Sequence, residues 1–543
     1  MKKRWTSISI ATSILAISLS GCTGKKPTTE KLDLKVCIAS EPATLDPTLS
    51  NTVDAAVMLN HTNEGLYKLK PDENGKLISV PGQAESMEKK DTENGTVYTF
   101  HLRNGIKWSD GQPVKATDFV YAWRRLVTPK NAAEYHYILE SVANAQEILK
   151  GNADPSTLGV KAVDDKTLEV TLSQPCPYFE TLLFFPALYP VRQDIVEKYG
   201  DKWTQDPTTF PCNGPYSFKE WAHESYILME QNQHYWDQQS IGPNSLKFML
   251  MKDVNSTYNA YNAGELDYIV AIPPEEALKL KEDGKLHISD TLSSSYMIFN
   301  YQKTPFDNPK VRKAFSLVID RNSIIQNIAH FGKPAGGFVP FGIKDADGDF
   351  RANGGDYYSV KKEDYQKNCD EARKLFAEAG YSDGENFPTV TYLTNSEGPN
   401  RQIAEAIQHD ITKALKVTIS VELEDWNTFC ATRKEGNFLF CRGGWNGDWD
   451  DPTTFLKIFL KDTGNNEAHY DNPEYEKLLS DAERESDPVK RMQLLHQAED
   501  IVIGKDYAVA PLIFGVHKCL IKDDIKGVGH NSLGIVLFAY AHK

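Results

Sequence analysis

Paired cysteines, long apolar segments and enzyme motifs are all scarce in this sequence of 543 residues. Its eight cysteines are scattered and form no C-x-x-C pair, which argues against a disulfide-stapled scaffold and against a structural zinc site. No stretch beyond the first 20 residues approaches the roughly 18 apolar residues of a membrane span. The motifs G-x-S-x-G, H-E-x-x-H and the P-loop do not occur. We therefore expect no catalysis, no cofactor and no metal.

Positive charge is also in short supply. The chain has 60 lysines and arginines against 75 aspartates and glutamates, which leaves a formal net charge of −15. An acidic surface repels phosphate backbones and anionic lipid headgroups. Nucleic acid is thus excluded as an expected partner, although the charge says nothing positive about the ligand.

The first 22 residues have the pattern of a secretion signal. Residues 2–4 are basic, residues 8–19 (ISIATSILAISL) are apolar, and small residues precede Cys22. Residues 19–22 (LSGC) resemble a bacterial lipobox, in which Cys22 is lipidated and becomes the new N-terminus. Residues 1–21 are then a signal peptide and residues 22–33 the lipidated cysteine with its linker. A diacylated cysteine anchors a protein stably; the alternative is an ordinary signal peptide with an incidental cysteine.

Short strands and helices alternate along the rest of the chain, which predicts an α/β fold of mixed α+β type. Alternating or continuous apolar runs predict strands at 97–102, 168–172, 246–250 and 418–423. Helical periodicity predicts helices at 117–126, capped by Thr117 or Asp118, and at 400–415. Asp487 before a proline predicts the N-cap of another helix. Because no compositional boundary separates the elements, we expect domains built from discontinuous segments.

Five segments together carry a resemblance to a known family. They are SEPATLDP (40–47), YTFHLRNGIKWSDGQPVKATDFVYAW (98–123), NGPY followed by Trp221 (213–221), NYQKTPFDNPKVRKAFSLVIDR (300–321) and GWNGDWDDP (444–452). In this order they resemble the signature segments of the extracellular solute-binding proteins of family 5, the oligopeptide- and dipeptide-binding receptors of ABC importers. The resemblance covers essentially the whole mature chain.

Membership of that family implies a periplasmic-binding-protein-like fold, with two lobes that close over a hinged cleft and an extra domain. The predicted division assigns residues 34–63, 191–293 and 511–543 to lobe I. Residues 64–190 form the extra domain and residues 294–510 form lobe II.

The resemblance also implies an extended peptide that pairs with protein backbone and is held at its two ends. Asp448 takes the place of the aspartate that clamps the peptide ammonium, because a buried charge needs a partner. Arg442 takes the place of an arginine that meets the peptide carboxylate. Trp445 walls a side-chain pocket, while Gly443 and Gly444 permit close backbone approach. The structural alternatives are a turn aspartate, an ion-paired arginine and a core tryptophan.

Other predicted ligand contacts lie outside the 444–452 segment. Arg401 lies in a segment (395–401) where relatives carry a histidine that holds longer peptides, so it is a candidate substitute. Val53 is expected to contribute backbone pairing. Tyr135 or Tyr137 is a further candidate, with the register left open between them.

Two more carboxylates of the 444–452 segment are assigned structural roles. Asp451 precedes a proline and a short apolar run, which predicts a helix N-cap. Asp450 is predicted to be an exposed loop charge.

The sequence thus predicts a non-catalytic receptor, lipid-anchored outside the cytoplasm, that delivers oligopeptides to ABC permease subunits as a monomer. Thr23 after the lipidated cysteine favours a single-membrane bacterium; in a two-membrane host the protein would be periplasmic. One alternative is a family member that binds a metal chelate, haem or an oligosaccharide. Another is a sensor that binds a peptide signal and docks on a regulator.

Overall fold

The computed structural model describes residues 32–38, 41–42, 44–73, 75–92, 95–396, 398–461 and 463–543. The signal peptide, Cys22, most of the linker and part of the first signature segment (Ser40 and Ala43) lie outside the described residues. Within the described ranges, no helix is long and apolar enough to cross a membrane.

Nearly all of the regular secondary structure is short. The strands are β1 (Asp33–Ile38), β2 (Tyr67–Pro71), β3 (Leu77–Pro81), β4 (Ala84–Thr92), β5 (Gly95–Leu102), β6 (Val160–Asp164), β7 (Thr167–Leu172), β8 (Tyr216–Ala222), β9 (Tyr226–Gln231), β10 (Ser245–Leu250), β11 (Tyr268–Ile269), β12 (His287–Phe299), β13 (Lys333–Pro334), β14 (Val390–Asn395), β15 (Ile419–Glu424), β16 (Phe440–Asn446), β17 (Val509–Ile521), β18 (Gly529–His530) and β19 (Val536–Leu537).

Helices are interspersed with these strands along the whole chain. The α-helices are α1 (Val53–Thr62), α2 (Ala116–Val127), α3 (Ala145–Leu149), α4 (Phe179–Leu182), α5 (Gln193–Tyr199), α6 (Val254–Asn262), α7 (Pro274–Glu282), α8 (Pro309–Leu317), α9 (Arg321–Ile324), α10 (Phe350–Gly354), α11 (Tyr365–Glu378), α12 (Asn400–Leu415), α13 (Trp426–Lys434), α14 (Thr453–Leu456), α15 (Pro473–Arg484) and α16 (Pro488–Glu499). Short 3-10 helices include Glu134–Leu139 and Lys457–Phe459.

One large sheet runs through the molecule in the order β15-β14-β16-β12-β17-β11-β1-β10-β9-β8, and β13 also pairs with β17. A separate antiparallel sheet, β4-β5-β7-β6, is inserted between β1 and β8 in the sequence. The pairs β2-β3 and β18-β19 form two small ribbons. The α/β character predicted from the sequence is confirmed.

Two long antiparallel strands, β12 and β17, join the halves of the large sheet. The pairing runs from His287 opposite Cys519 to Asp290 opposite Val516, then shifts register before Ser294 pairs with Phe514. Such an irregularity bends a strand pair locally. The predicted borders between the lobes, at 293/294 and 510/511, fall within these strands. The division into lobes itself stays a prediction.

Separate apolar cores cover the faces of the sheets. Leu34 and Phe248 of the large sheet share a core with Phe100 of the four-stranded sheet and Trp123 of α2. On β12, Phe299 packs towards α8, α11 and α12, while its neighbours along the strand pack on the opposite face. This alternation follows from the two-residue period of a strand. The segment predicted as the extra domain therefore shares its core with the segments predicted as lobe I.

Most local predictions are confirmed, and one helix start is corrected. The four predicted strands correspond to β5, β7, β10 and β15, and the helix predicted at 400–415 is α12. Asp487 caps α16 by accepting from the Val489 and Lys490 amides. Helix α2, however, begins at Ala116, so neither Thr117 nor Asp118 is its N-cap. Asp118 instead accepts from the Lys115 amide, at 3.0 Å, and from the Trp108 indole.

Candidate ligand-binding site

Strand β16 and the turn that follows it position most of the predicted site residues. β16 lies antiparallel to β12, with Arg442 opposite Met297 and Gly444 opposite Ser295. The strand ends at Asn446, and the Gly447 amide then donates to the Leu292 carbonyl at 2.7 Å. Residues 447–452, called the ligand loop below, lead from this turn into α14.

Asp448 is a partly buried carboxylate with one neutral side-chain partner. Its Oδ2 accepts a hydrogen bond of 2.7 Å from the hydroxyl of Tyr137, and its amide donates to Thr454 Oγ1. Burial raises the pKa of Asp448 to about 6, and the bond from Tyr137 opposes that rise. Among the described residues, no lysine, arginine or histidine forms an ion pair with Asp448. The carboxylate can therefore receive a cation from outside the chain.

Arg442 is a half-buried guanidinium that, like the carboxylate of Asp448, has no charged partner among the described residues. Burial lowers the pKa of Arg442, and the positive charge of Arg433 lowers it further. Arg433 is itself paired with Glu467, at 2.8 Å, and donates to the Arg442 carbonyl. In the described part of the chain no carboxylate pairs with Arg442. An anionic group entering here would relieve the cost of burying this charge.

The two glycines on β16 differ in what surrounds them. A Cβ on Gly443 would come within 2.4 Å of the Tyr296 ring, so this glycine is required by packing rather than by a ligand. Gly444 is exposed, and a Cβ there would meet only the tip of Arg442, at 3.7 Å. Trp445 is half-buried, with its indole nitrogen donating to the Thr454 carbonyl at 2.7 Å. Its ring is thus fixed at the edge of the ligand loop.

The remaining predicted contacts come from three separate elements. Val53 is the first residue of α1, and its side chain is 71% exposed. Tyr135 packs on Phe185, with ring centroids 4.9 Å apart, while its neighbour Tyr137 is the tyrosine that bonds Asp448. Arg401 lies in the first turn of α12, exposed and paired with Glu405 at 3.0 Å. Of the two candidate arginines, Arg442 is the one without an ion-pair partner among the described residues.

Of the other two carboxylates of the ligand loop, Asp451 caps the helix from one residue further out than predicted, and Asp450 is not the exposed charge predicted. Helix α14 begins at Thr453 with Pro452 as its N-cap, and Asp451 Oδ1 accepts from the Thr453 amide at 3.0 Å. Asp451 is buried and accepts from both terminal nitrogens of Arg491, at 2.7 and 2.9 Å. Asp450 is not exposed: one of its oxygens is buried without a hydrogen-bond partner among the described residues, and burial raises its pKa.

Sequence reasoning assigned no role to Trp449, which docks the ligand loop onto a distant segment. Its side chain is only 5% exposed and stacks on Tyr178, with centroids 5.2 Å apart and planes 7° apart. The indole nitrogen donates to Thr453 Oγ1 at 3.0 Å. The tryptophan could have been noted from its apolar character, but its partner lies 271 residues earlier and leaves no local pattern.

Comparison with known proteins agrees with this architecture. The family model for bacterial extracellular solute-binding proteins, family 5 middle, matches residues 79–467. The oligopeptide-binding protein OppA of Bacillus subtilis is 32% identical over 558 residues, with full coverage of both chains. The probable deoxycholate-binding periplasmic protein YgiS of Escherichia coli is 33% identical over 88% of this chain and 86% of its own length.

Among solved structures, the crystal structure of Haemophilus influenzae OppA in complex with RPPGFSPFR is similar with a TM-score of 0.80. The sequence identity is 33%, and the alignment covers 94% of this chain and 99% of that one. The similarity therefore extends over the whole architecture rather than over a single domain.

Proposed function

This chain belongs to the bacterial extracellular solute-binding proteins of family 5, and we propose that it captures oligopeptides for an ABC importer. One observation carries the proposal: a carboxylate (Asp448) and a guanidinium (Arg442), both without a charged partner in the described chain, lie on one strand-and-loop segment. These are the two charges that the ends of a zwitterionic peptide require. Similarity to a peptide-bound structure over nearly the full chain supports the same assignment.

In the proposed binding mode the peptide is held by hydrogen bonds to protein backbone and by charged contacts at its two ends. An extended peptide would lie along exposed backbone near Gly444, where main-chain hydrogen bonds are independent of peptide sequence. Asp448 would receive the ammonium and Arg442 the carboxylate, each by a charge-assisted bond. Closure about β12 and β17 would then exclude water from both ends. The family is one of receptors, and we propose that ATP hydrolysis belongs to the importer's own subunits.

A bile acid is the second candidate ligand, because one relative carries deoxycholate in its name. Deoxycholate has a carboxylate that could pair with Arg442, but it has no ammonium. Asp448 would therefore stay unpaired, and the free-energy cost of burying its charge would remain. The unpaired carboxylate thus favours a peptide. Calorimetry with a free tripeptide, its N-acetylated form and deoxycholate decides between them. Tight binding of the free peptide alone supports the proposal, and tight binding of deoxycholate alone overturns it.

The carboxylate end yields a prediction that depends on peptide length. We expect Arg442→Ala to weaken the binding of short peptides most and Arg401→Ala to weaken the binding of longer ones. The loss should be about 1.5–3 kcal/mol of binding free energy for a lost charge-assisted bond. Titrating a ladder of two- to five-residue peptides into each variant measures this. Arg484→Ala, another exposed arginine paired on its own helix, is the matched control. Equal losses at every length, or none, would show that the carboxylate binds elsewhere.

Peptide affinity should also fall in mild acid. With a pKa of about 6, Asp448 is increasingly protonated below pH 6, and only its ionised form attracts an ammonium. Binding then releases a proton, so the affinity should decrease about tenfold between pH 7 and pH 5. A peptide without acidic or histidine side chains isolates the effect. The peptide affinity of the Asp448→Asn variant should not change with pH over this range. A pH-independent affinity in the native protein would contradict the assignment of Asp448 to the ammonium.

Attachment to the membrane is proposed through Cys22, which lies outside the described residues. A lipid on this cysteine would keep the receptor beside its importer, as two acyl chains bind membranes stably. We expect Cys22→Ser to abolish metabolic labelling with palmitate and to release the protein from the membrane fraction. A Cys22→Ser variant that still fractionates with membranes would point to another anchor.

A further inference from the structure

Tyr178 connects the segment predicted as the extra domain with the ligand loop, as Tyr137 does through Asp448. Tyr178 lies immediately before α4, in the segment predicted as the extra domain, and its ring stacks on Trp449 of the ligand loop. Its hydroxyl lies 3.2 Å from the ammonium of Lys457, which donates to it. The side chain of Tyr178 therefore contacts the segment predicted as lobe II twice, once at Trp449 and once at Lys457.

The ammonium of Lys457 is paired with a carboxylate on its own side of this contact. Its Nζ lies 2.5 Å from Glu483 Oε1, and the two side chains are 19% and 23% exposed. Glu140, from the same side as Tyr178, is half-buried: burial raises its pKa, while the charge of Lys457 opposes the rise. Because Glu483 neutralises Lys457 within its own segment, Lys457 keeps its counter-ion when the two sides separate.

This cluster adjoins the groups assigned to the peptide, because Trp449 also contacts Tyr137, with ring centroids 6.1 Å apart. Asp448 and Arg442 are the assigned end groups, whereas Tyr178 and Lys457 already contact each other, and contact Trp449 and Glu483 respectively. A side chain that already has hydrogen-bond or ion-pair partners within the chain is a poor candidate for a ligand contact. It can still contribute to the free-energy difference between an open and a closed form.

We propose that Tyr178 and Lys457 form a latch that stabilises the closed form of the receptor whatever peptide is bound. The proposal rests on the proposed function, in that closure is the step that traps the peptide. When only a fraction of the protein is in the binding-competent form, the apparent affinity for every ligand falls by that same fraction. Loosening the latch should therefore lower the affinity for all peptides by one common factor. A change at a peptide contact should instead lower the affinity by a factor that depends on the peptide.

Tyr178→Phe is the cleanest test, since it keeps the ring on Trp449 and removes only the hydroxyl bound to Lys457. We expect about a tenfold loss of affinity, the low end for one hydrogen bond to a charged group, equal for every member of a two- to five-residue peptide ladder. The double variant Lys457→Met with Glu483→Gln removes both members of the ion pair together and should act in the same direction. Tyr365→Phe is the matched control, because its hydroxyl bonds the Val318 carbonyl and its ring packs against a different apolar core from Tyr178.

Small-angle X-ray scattering of the unliganded protein gives a readout that requires no peptide. We expect a larger radius of gyration for Tyr178→Phe than for the native protein or Tyr365→Phe, with unchanged thermal unfolding. A loss that differs between peptides, or scattering identical to the native protein, overturns the latch. If the native protein binds no peptide at all, the proposed function fails, while the scattering comparison still decides whether Tyr178 controls closure.

Discussion

Replacing Asp448 with alanine should cost about 3–5 kcal/mol of peptide affinity, because a desolvated ammonium loses its only counter-ion. The fold should tolerate the change. With a folded pKa of about 6, the ionised carboxylate opposes folding at neutral pH, so the unliganded variant should be no less stable than the native protein. Titration calorimetry measures the affinity and urea unfolding the stability. Asp448→Asn keeps the shape and serves as the isosteric comparison.

The same prediction can be checked from the side of the ligand. A peptide with an acetylated N-terminus lacks the ammonium, and we expect the native protein to bind it as poorly as Asp448→Ala binds the free peptide. Combining the variant with the acetylated peptide should cost little more than either change alone, because both remove one interaction. Equal affinity of the native protein for free and acetylated peptides would refute the assignment of Asp448.

Local elements could be predicted from the sequence where a short pattern determines them. Helix α12 carries isoleucine or leucine at every fourth position from Ile403 to Leu415, so its buried face and its length follow from the spacing. The cap of α16 depends on Asp487 and the two amides beside it. The start of α2 was missed because the Lys115 amide is satisfied by Asp118 from inside the helix, a pairing that the residue types leave ambiguous.

The site was predictable only in part, because its groups are assembled from distant parts of the chain. The signature segment places Asp448, Arg442 and Trp445 together on one strand and loop. The partner of Asp448, Tyr137, is 311 residues away, and nothing near either residue indicates which of two tyrosines is reached. Asp450 was taken for a solvated charge because loops are usually exposed, whereas this carboxylate is partly buried beside the backbone of Lys344.

The buried pair of Asp451 and Arg491 explains why the ligand loop keeps its shape. Asp451 accepts two bonds from Arg491 and two more from the amide and hydroxyl of Thr453, and the side chains of the ion pair are only 7% and 4% exposed. The hydroxyl of Thr454, the next residue, holds the Asp448 amide. The arginine on α16 thus supports the carboxylate that is assigned to the peptide, through three intervening residues (Asp451, Thr453 and Thr454).

Replacing Arg491 with methionine should therefore lower the free energy of unfolding by about 3–5 kcal/mol, because Asp451 is left as an unpaired buried charge. Adding Asp451→Asn should recover most of that loss, since a neutral amide needs no counter-ion. Urea unfolding of the two single variants and the double variant measures the coupling, with Arg484→Ala as the exposed control. If Arg491→Met proved as stable as Arg484→Ala, the ion pair would not stabilise the fold. If the double variant regained stability but not peptide affinity, the pair would act by positioning the ligand loop as well as by holding the fold.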